Sequence, residues 1–171
     1  LDATYFRASV TDRIVSGFDP DANLPTSVNA PGESDRQGLE LMMSATPVEG
    51  LSLDATYTYT LSRDADGLQE VRVPRHSARL GGTYVFLQGR AQVTASATYK
   101  GDRRDLDFGS FPAGRVVLDD YLRIDLAGEY ALTDYATLFA RVENATDADY
   151  EEVFGFSNQP VTGYAGVRVR F

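Results

Sequence analysis

The sequence contains no cysteine and no tryptophan, and His76 is its single histidine. Without cysteine there are no disulfides or thiolate metal sites, and one imidazole excludes metal sites built from several histidines. Positive charge is also scarce, because 16 Lys and Arg face 25 Asp and Glu, which gives a net charge of −9. A nucleic-acid-binding protein needs a basic face to neutralise phosphates. We therefore expect no nucleic-acid partner and no cofactor.

Long apolar runs are missing as well. No segment approaches the roughly 18 consecutive apolar residues that a membrane-spanning helix requires. Membrane β-strands are not excluded by this, because only every second residue of such a strand is apolar. The 171 residues correspond to one domain. The chain begins at Leu1 without the pattern of a signal peptide, so either a signal was removed or the chain is a piece of a longer protein.

What the sequence does contain is alternation of apolar and polar residues with a period of two. In Leu51–Ser62, for example, one face is apolar and the other carries hydroxyl groups, which is typical of a strand with two different faces. The segments predicted as strands are Ala3 to about Phe18, Arg36–Thr46, Leu51–Ser62, Arg79–Gln88, Arg90–Lys100, Tyr121–Leu132, Thr137–Asn144 and Val161–Phe171. We expect an irregularity in the first of them near Thr11 and Asp12.

The connections between these segments alternate between long and short. The short turns are Pro47–Gly50, Gln88–Gly89 and Thr133–Asp134, and the long loops are Asp19–Asp35, Arg63–Arg75, Gly101–Asp120 and Ala145–Pro160. All short turns then fall at one end of an antiparallel meander and all long loops at the other. Outer-membrane β-barrels have this layout.

Aromatic residues on the apolar faces support the same interpretation. Tyr57, Tyr59 and Tyr99 lie toward the long-loop end, and Tyr84, Phe86, Tyr130 and Phe171 lie toward the short-turn end, as two aromatic girdles would. A soluble up-and-down barrel such as a lipocalin has the same alternation, but its apolar face fills the interior. The alternation alone does not choose between the two. Loop asymmetry and girdles favour an all-β, antiparallel, up-and-down transmembrane β-barrel meander with eight strands in this chain.

The last 31 residues contain the most specific sequence motif of the chain. Asn144, Asp147 and Tyr150 form an Asn-x-x-Asp-x-x-Tyr run. A loop with Phe154-Gly155-Phe156 and Pro160 follows, and then a closing strand with a terminal Phe. This segment resembles the C-terminal end of the TonB-dependent outer-membrane receptors, the family that includes cobalamin and siderophore transporters. Ala145-Thr146 departs from the Leu-Phe pair more common in the family. Upstream, the Gly-Leu-Glu step of Ser34–Leu41 also resembles a family strand.

The resemblance implies a barrel of about 22 strands closed around an N-terminal plug. Residues 1–171 would then be the C-terminal segment of the barrel domain, without the plug. The implied function is uptake of a metal chelate or cobalamin across the outer membrane of a Gram-negative bacterium. The implied partners are outer-membrane lipid and lipopolysaccharide, the barrel-assembly machinery, the small-molecule chelate, and TonB through the missing N-terminal region. The alternative is a free-standing eight-stranded barrel with a structural or adhesion role or, with less support, a hydrolase activity.

One long loop offers candidate ligand contacts. In Gly101–Asp120, three arginines supply donors for anionic groups and two phenylalanines supply apolar contacts; the five residues are Arg103, Arg104, Arg115, Phe108 and Phe111. Alternatively the loop only covers the barrel mouth, and its arginines pair with Asp102, Asp105 and Asp107 or with lipopolysaccharide phosphates.

Charged residues on two neighbouring strands predict a register. A turn made by Leu132, Thr133 and Asp134 would place Asp125 opposite Arg141 and Arg123 opposite Glu143 on the lumen face. The register shifted by two residues would oppose Asp125 to Glu143, which like-charge repulsion disfavours.

The final strand predicts an orientation and a signal. If Val167, Val169 and Phe171 face lipid, then Arg168 and Arg170 point into the lumen. By resemblance, Val167, Val169 and Phe171 form the signal that the assembly machinery reads.

Metal binding and catalysis have little support. Ser62, Asp64, Asp66 and Gly67 match the first positions of an EF-hand loop, but Val73 occupies the position of the bidentate Glu. No nucleophile elbow, zinc-protease motif or phosphate loop occurs. The sequence therefore predicts no catalytic and no metal site.

Overall fold

The computed structural model describes residues 1–29 and 31–171, and its regular elements are all β-strands. In chain order they are β1 (Asp2–Thr11), β2 (Ile14–Asp19), β3 (Leu24–Asn29), β4 (Glu33–Val48), β5 (Leu51–Arg63), β6 (His76–Phe86), β7 (Ala91–Lys100), β8 (Arg103–Asp107), β9 (Gly114–Leu118), β10 (Tyr121–Ala131), β11 (Ala136–Glu143), β12 (Glu151–Val153), β13 (Phe156–Ser157) and β14 (Thr162–Val169). Within the described part of the chain, no helix has the length and apolarity needed to cross a bilayer.

Eight of the strands form one sheet in the order β1-β4-β5-β6-β7-β10-β11-β14. Each neighbouring pair in this sheet is antiparallel. The other six strands form three two-stranded ribbons, β2 with β3, β8 with β9, and β12 with β13, which lie within the long connections. The predicted all-β antiparallel meander is confirmed.

The first predicted strand, Ala3 to about Phe18, is corrected by the structure. β1 ends at Thr11, and the next residue, Asp12, has a φ of 55°, a left-handed conformation that cannot continue a strand. The chain then leaves the main sheet, and β2 pairs with β3 instead. The predicted irregularity near Thr11 and Asp12 is therefore a break.

The predicted alternation of connections is confirmed. The three short turns comprise residues 49–50, 87–90 and 132–135, whereas residues 12–32, 64–75, 101–120 and 144–161 form the long connections at the other end of the sheet. The turn at 87–90 depends on left-handed residues, because Leu87, Gln88 and Gly89 all have positive φ. Antiparallel pairing then places every long connection at one end.

The predicted register between β10 and β11 is wrong by two residues. Leu126 pairs with Val142 and Ala131 with Thr137, so Arg141 lies opposite Ala127 and not opposite Asp125. The turn is longer than predicted because the Thr133 hydroxyl accepts hydrogen bonds from the N–H groups of Tyr135 and Ala136 at 3.2 and 3.1 Å.

The repulsion expected in this register is offset locally. The Asp125 carboxylate lies 3.0 Å from the Arg123 guanidinium and accepts a 3.0 Å hydrogen bond from the N–H of Asn144. The Glu143 carboxylate lies 3.5 Å from Arg141. Charges are thus compensated along each strand, and cross-strand pairing was the wrong assumption.

The two faces of the main sheet have a polarity opposite to that of a soluble protein. Leu80, Leu122 and Val167 on the apolar face are 54%, 49% and 57% exposed, whereas Thr60 and Ser62 on the polar face are buried. A water-soluble barrel would bury the apolar face in its interior. Exposed apolar residues across the whole face suit contact with lipid.

The final strand follows this division of faces. Val169 and Phe171 are exposed on the apolar side together with Val167. Arg168 points to the polar side, where it lies 3.3 Å from the Glu129 carboxylate.

The main sheet is open among the described residues. β1 and β14 stand at its two ends, and each pairs with one neighbour only. A free-standing eight-stranded barrel would require these two strands to pair with each other. The structure therefore gives no support to that alternative, and the implied total of about 22 strands stays a prediction.

Candidate functional site

Three of the long connections meet at one end of the sheet. We call them loop A (residues 64–75), loop B (residues 101–120) and loop C (residues 144–161). Arg115 of loop B donates a 2.6 Å hydrogen bond to the carbonyl of Gln69 and forms an ion pair with Asp64, both in loop A. The N–H of Arg72 also donates to the carbonyl of Arg104 at 2.6 Å. Loops A and B are thus held together by an ion pair and by hydrogen bonds to backbone carbonyls.

Asp105 joins all three loops. Its side chain is 0% exposed, and its two carboxylate oxygens accept hydrogen bonds from Arg72 Nε in loop A and from the N–H of Phe154 in loop C, each at 2.8 Å. Burial by itself raises the pKa of the Asp105 carboxyl, but hydrogen bonds from the N–H groups of Phe154 and Leu106 and from Arg72 outweigh it and lower the pKa. The charged form of Asp105 is therefore the one that holds the loops.

A second contact links the sheet to loop C. Lys100 Nζ lies 3.1 Å from both carboxylate oxygens of Glu152, and the Tyr121 hydroxyl donates to the same carboxylate. Burial raises the pKa of Glu152, but the hydrogen bonds from Tyr121 and Lys100 outweigh it and lower the pKa. Nearby, the Tyr121 and Tyr150 rings stack with centroids 4.0 Å apart.

The Asn-x-x-Asp-x-x-Tyr run closes loop C on itself. Asn144 is 2% exposed with a φ of 51°, and its amide donates to the carbonyls of Ala148 and Gln159 at 3.0 and 3.3 Å while its oxygen accepts from the N–H of Ala148 at 2.9 Å. Asp147 accepts from the N–H of Val161 at 2.9 Å. Asn and Asp tolerate the left-handed conformation better than most residues. The run therefore ends β11 and returns the chain to β14.

The five candidate ligand residues of loop B differ in whether their side chains are free to contact a ligand. Arg103 is only 1% exposed; it donates to the carbonyl of Glu151 and lies over the Tyr121 ring, so it is no open donor for a ligand. Arg115 is engaged by loop A. Arg104 is exposed, and Phe108 and Phe111 are 73% and 103% exposed. Of the five predicted residues, these three present free side-chain surface.

For the alternative in which loop B only covers the barrel mouth, the predicted pairing of its arginines with its own aspartates is also wrong in detail. Asp105 pairs with Arg72 of loop A. Asp107 accepts a 2.8 Å hydrogen bond from the N–H of Gly109. Arg115 and Arg103 of loop B contact loops A and C, respectively. The aspartates close to them in sequence did not indicate these contacts.

The four predicted lumen charges come together although their register was mispredicted. Arg123, Asp125, Arg141 and Glu143 line one cavity of about 350 Å³ on the polar face, beneath loop C. Tyr150 closes part of its wall, and its hydroxyl lies 3.4 Å from the Arg123 guanidinium. Two arginines and two carboxylates leave this cavity with balanced charge.

In the EF-hand-like loop, the Asp64 carboxylate is occupied by groups of the protein itself. Asp64 accepts hydrogen bonds from the N–H groups of Asp66 and Leu68 at 3.1 and 2.9 Å and pairs with Arg115. In residues 1–29 and 31–171, no cluster of three or more His, Asp or Glu side chains is arranged to hold a metal ion.

Sequence reasoning missed Arg72, Lys100 and Glu152. Arg72 and Asp105 are 33 residues apart, and Lys100 and Glu152 are 52 apart. No local pattern connects positions in different loops. A signal for these pairs exists only once the long connections are placed at the same end of the sheet.

Known proteins with similar sequences are receptors and transporters. The chain is 32% identical over 141 residues to the metal-pseudopaline receptor CntO of Pseudomonas aeruginosa, a match that covers 77% of this chain and 19% of that protein. It is 29% identical over 149 residues to the vitamin B12 transporter BtuB of Vibrio cholerae, covering 84% of this chain and 23% of that protein. The chain thus spans about a fifth to a quarter of the length of these curated relatives.

Solved structures show the same fold. The pyoverdine outer-membrane receptor FpvA from Pseudomonas aeruginosa aligns with a TM-score of 0.81 at 20% identity, over 99% of this chain and 27% of that one. The siderophore receptor PiuA from Acinetobacter baumannii aligns with a TM-score of 0.74 at 22% identity, over 98% of this chain and 25% of that one. The family model described as TonB dependent receptor-like, beta-barrel matches residues 1–145. The chain belongs to the TonB-dependent receptor β-barrel family.

Proposed function

We propose that this chain is the C-terminal segment of the barrel domain of an outer-membrane receptor that imports a metal chelate or cobalamin. The plug and the segment that contacts TonB would lie in the part of the receptor ahead of Leu1. Energy delivered through the plug would release the ligand inward. The segment described here contributes loops, lumen wall and the final strand.

The exposed apolar face of the main sheet carries this proposal. A sheet with its apolar residues outside and its hydroxyl and charged residues on the other face is suited to separate lipid from a polar lumen. Family membership and the named cargo of the relatives, metal-pseudopaline and vitamin B12, supply the ligand class.

Ligand capture is assigned to the exposed part of loop B. Phe108 and Phe111 offer apolar surface and Arg104 offers a donor for anionic groups, and all three project from a ribbon that loops A and C hold in place. A binding surface on a rigid support loses less conformational entropy when the ligand binds.

The test uses the intact receptor on cells. Removing the whole of loop B would also remove Asp105 and Arg115 and disturb the neighbouring loops. The sharper variant replaces Arg104 with Gln and both Phe108 and Phe111 with Ser. We expect about a tenfold or larger loss of surface binding for the cognate ferric chelate or cobalamin, since each buried aromatic contact contributes roughly 1–3 kcal/mol.

The control is Leu87→Ser, which removes an exposed apolar side chain at the short-turn end. Its binding should equal that of the wild type. Unchanged affinity of the triple variant at normal receptor abundance would leave loop B with only a covering role.

A further inference from the structure

The ribbon of β2 and β3 has one face on which apolar side chains are open to solvent. Ile14 and Phe18 share this face because they are four residues apart in β2, and Pro25 joins them as the register partner of Phe18. Ile14 and Phe18 are 73% and 58% exposed. On the other face Val28 leans over Gly17, and both Val28 methyl groups are 2.9 Å from where a Cβ of residue 17 would stand. The second face is thus partly filled by the ribbon itself, whereas the first, which we call the open face, is not.

A two-stranded ribbon is only marginally stable in water unless a further element packs against it. The ribbon of β8 and β9 has such support, because β9 contacts β12 and Asp105 of β8 is held by loops A and C. Among residues 1–29 and 31–171, neither β2 nor β3 packs extensively against a third strand. The ribbon is joined to loop A at its base, where Arg13 lies 3.0 Å from the Glu70 carboxylate. We therefore expect the element that covers the open face to lie outside this chain.

The long connections contact one another in the order in which they follow along the main sheet. The connection that contains β2 and β3 contacts loop A through Arg13 and Glu70. Asp105 of loop B then joins Arg72 of loop A and Phe154 of loop C. The ribbon is the first member of this series, and the strand that leads into it, β1, is an edge strand of the sheet in the described chain. In a larger barrel, the next member of the series is the long connection upstream of β1.

We infer that this upstream connection covers the open face in the intact receptor. The inference rests on the proposed function, in which the chain is one part of a larger barrel. β1 runs toward the long-loop end, so the strand that precedes it in an antiparallel meander runs away from that end and begins at a long connection. We call this connection the upstream loop. The chain covers 19% and 23% of two curated relatives, so most of such a receptor lies outside it.

The chemistry of the open face suits a neighbour that packs with apolar side chains. The other residues on this face are Ser16, Ser27 and Asn29, so the face carries no charge. The charged residues Asp19 and Asp21 lie at the ribbon tip, where the Asp19 carboxylate accepts the N–H group of Asp21 at 2.9 Å. Apolar surface that is exposed in one part of a protein and bordered by polar residues is typical of a contact surface.

The first experiment identifies what lies against the open face. The photo-cross-linking amino acid p-benzoylphenylalanine replaces Phe18 in the intact receptor on cells, without added chelate. Irradiation should give a product of monomer mass, and peptide mass spectrometry should place the cross-link in the upstream loop. The matched control places the same amino acid at Thr26, which is exposed on the other face of the ribbon. Its cross-link to the upstream loop should be several-fold weaker or absent.

The second experiment measures hydrogen exchange of the ribbon in the purified intact receptor. Cutting the upstream loop back to a short turn should make the amides of β2 and β3 exchange about tenfold faster or more, because their apolar cover is lost. The amides of β8 and β9 should keep their wild-type rates, since loops A and C hold that ribbon. Ile14→Ser combined with Phe18→Ser should speed exchange of β2 and β3 similarly, whereas Ile14→Val combined with Phe18→Leu should keep most of the protection.

Each outcome decides the inference. A cross-link from position 18 to the upstream loop, together with faster exchange of β2 and β3 after that loop is shortened, would support it. Products of twice the monomer mass would assign the open face to a second copy, and products that contain another protein would assign it to an external partner. Either result would overturn the inference, as would the absence of any cross-linked product from position 18.

Chelate binding to the same cells keeps this inference separate from the proposed cargo. A receptor that gives the cross-link but binds neither a ferric chelate nor cobalamin would contradict the proposed cargo and leave the inference standing. A receptor that binds its chelate but gives no cross-link from position 18 would contradict the inference and leave the proposed function standing.

Discussion

At the scale of single residues, buried charge decides how the loop end is built. Asp105 is fully buried, yet it is held in its charged form because donors from two other loops point at it. Removing one partner of a buried charged pair costs more than the pair contributes, since the remaining group is left unsatisfied. Small changes at Asp105 should therefore affect three loops at once.

We expect the loop contacts of Asp105 to be pH-dependent. Its pKa in the folded chain lies below the ordinary value of 3.8, so its contribution is fully present above that value and is lost as the pH falls through the lower folded pKa. Glu152 acts in the same direction. Pepsin cleavage in loops A, B and C, normalised to an unstructured peptide, should rise as the pH falls below about 3.8.

The matched variants are Asp105→Asn and Asp102→Asn. Asp105→Asn removes the charge and should weaken the loop contacts by about 1–3 kcal/mol at pH values where wild-type Asp105 is ionised. At lower pH the wild-type carboxyl is also neutral, so cleavage of the variant changes less across the acidic range. Asp102 is exposed, and Asp102→Asn should behave like the wild type. Identical pH profiles for the wild type and Asp105→Asn would contradict the assignment.

At the scale of elements, the strands follow from the alternation of apolar and polar residues, and the loop conformations follow from hydrogen bonds between side chains and the backbone. Asn144 illustrates the second rule, because one amide group holds both ends of loop C while the backbone adopts a left-handed conformation. β14 illustrates the first rule, because the exposed Val167 adjoins Arg168, which pairs on the polar side.

Replacing Asn144 separates backbone strain from hydrogen bonding. Asn144→Ala loses the side-chain hydrogen bonds and keeps a Cβ at positive φ without the polar side chain that lets Asn tolerate this conformation, which costs a further 1–2 kcal/mol or so. Asn144→Gly loses the same hydrogen bonds without that strain. Hydrogen exchange at Ala148 and Val161 should therefore be fastest in Asn144→Ala, intermediate in Asn144→Gly and slowest in the wild type. Wild-type protection in Asn144→Ala would show that the amide does not hold the loop.

The orientation of β14 predicts unequal effects of two neighbouring substitutions. Val167→Arg would place a cation on the lipid-facing side at a cost of roughly 2–4 kcal/mol near the midplane. Arg168→Val loses an ion pair with a half-exposed partner and a contact of the guanidinium with the Phe139 ring at 5.8 Å, each of which contributes about 1 kcal/mol or less. The yield of heat-modifiable receptor in outer membranes should fall much further for Val167→Arg. Equal yields would argue that the apolar face does not meet lipid.

At the scale of the whole molecule, the chain forms an open sheet with an exposed apolar side, a polar side and three loops that contact one another at one end. In the part of the chain that the structure describes, each of its two edge strands pairs on one side only. Unpaired strand edges are not tolerated in a hydrocarbon layer, since their N–H and C=O groups would lack partners. Within a complete receptor we therefore expect β1 and β14 to pair with further strands of the barrel.

Assembly of the whole barrel provides the test of the proposed terminal signal. Phe171 is fully exposed and lies two residues after the end of β14, in the apolar series of Val167 and Val169, so its deletion should change the stability of the folded sheet little. If the terminal residue serves as the assembly signal, the deletion should nevertheless lower the amount of folded receptor in outer membranes several-fold. Phe171→Tyr keeps an aromatic ring and serves as the control. Normal levels after the deletion would refute the signal role.

The sequence by itself determined which residues share a face and where the long and short connections lie. These properties follow from the period of two in a strand and from local hydrogen bonding, which depend only on neighbouring residues. Only the tertiary structure decided the register of β10 and β11, the break at Asp12, and the use of Arg103 and Arg115 inside the loop contacts. These features depend on pairing and loop contacts between residues far apart in sequence, and no local pattern records such distances.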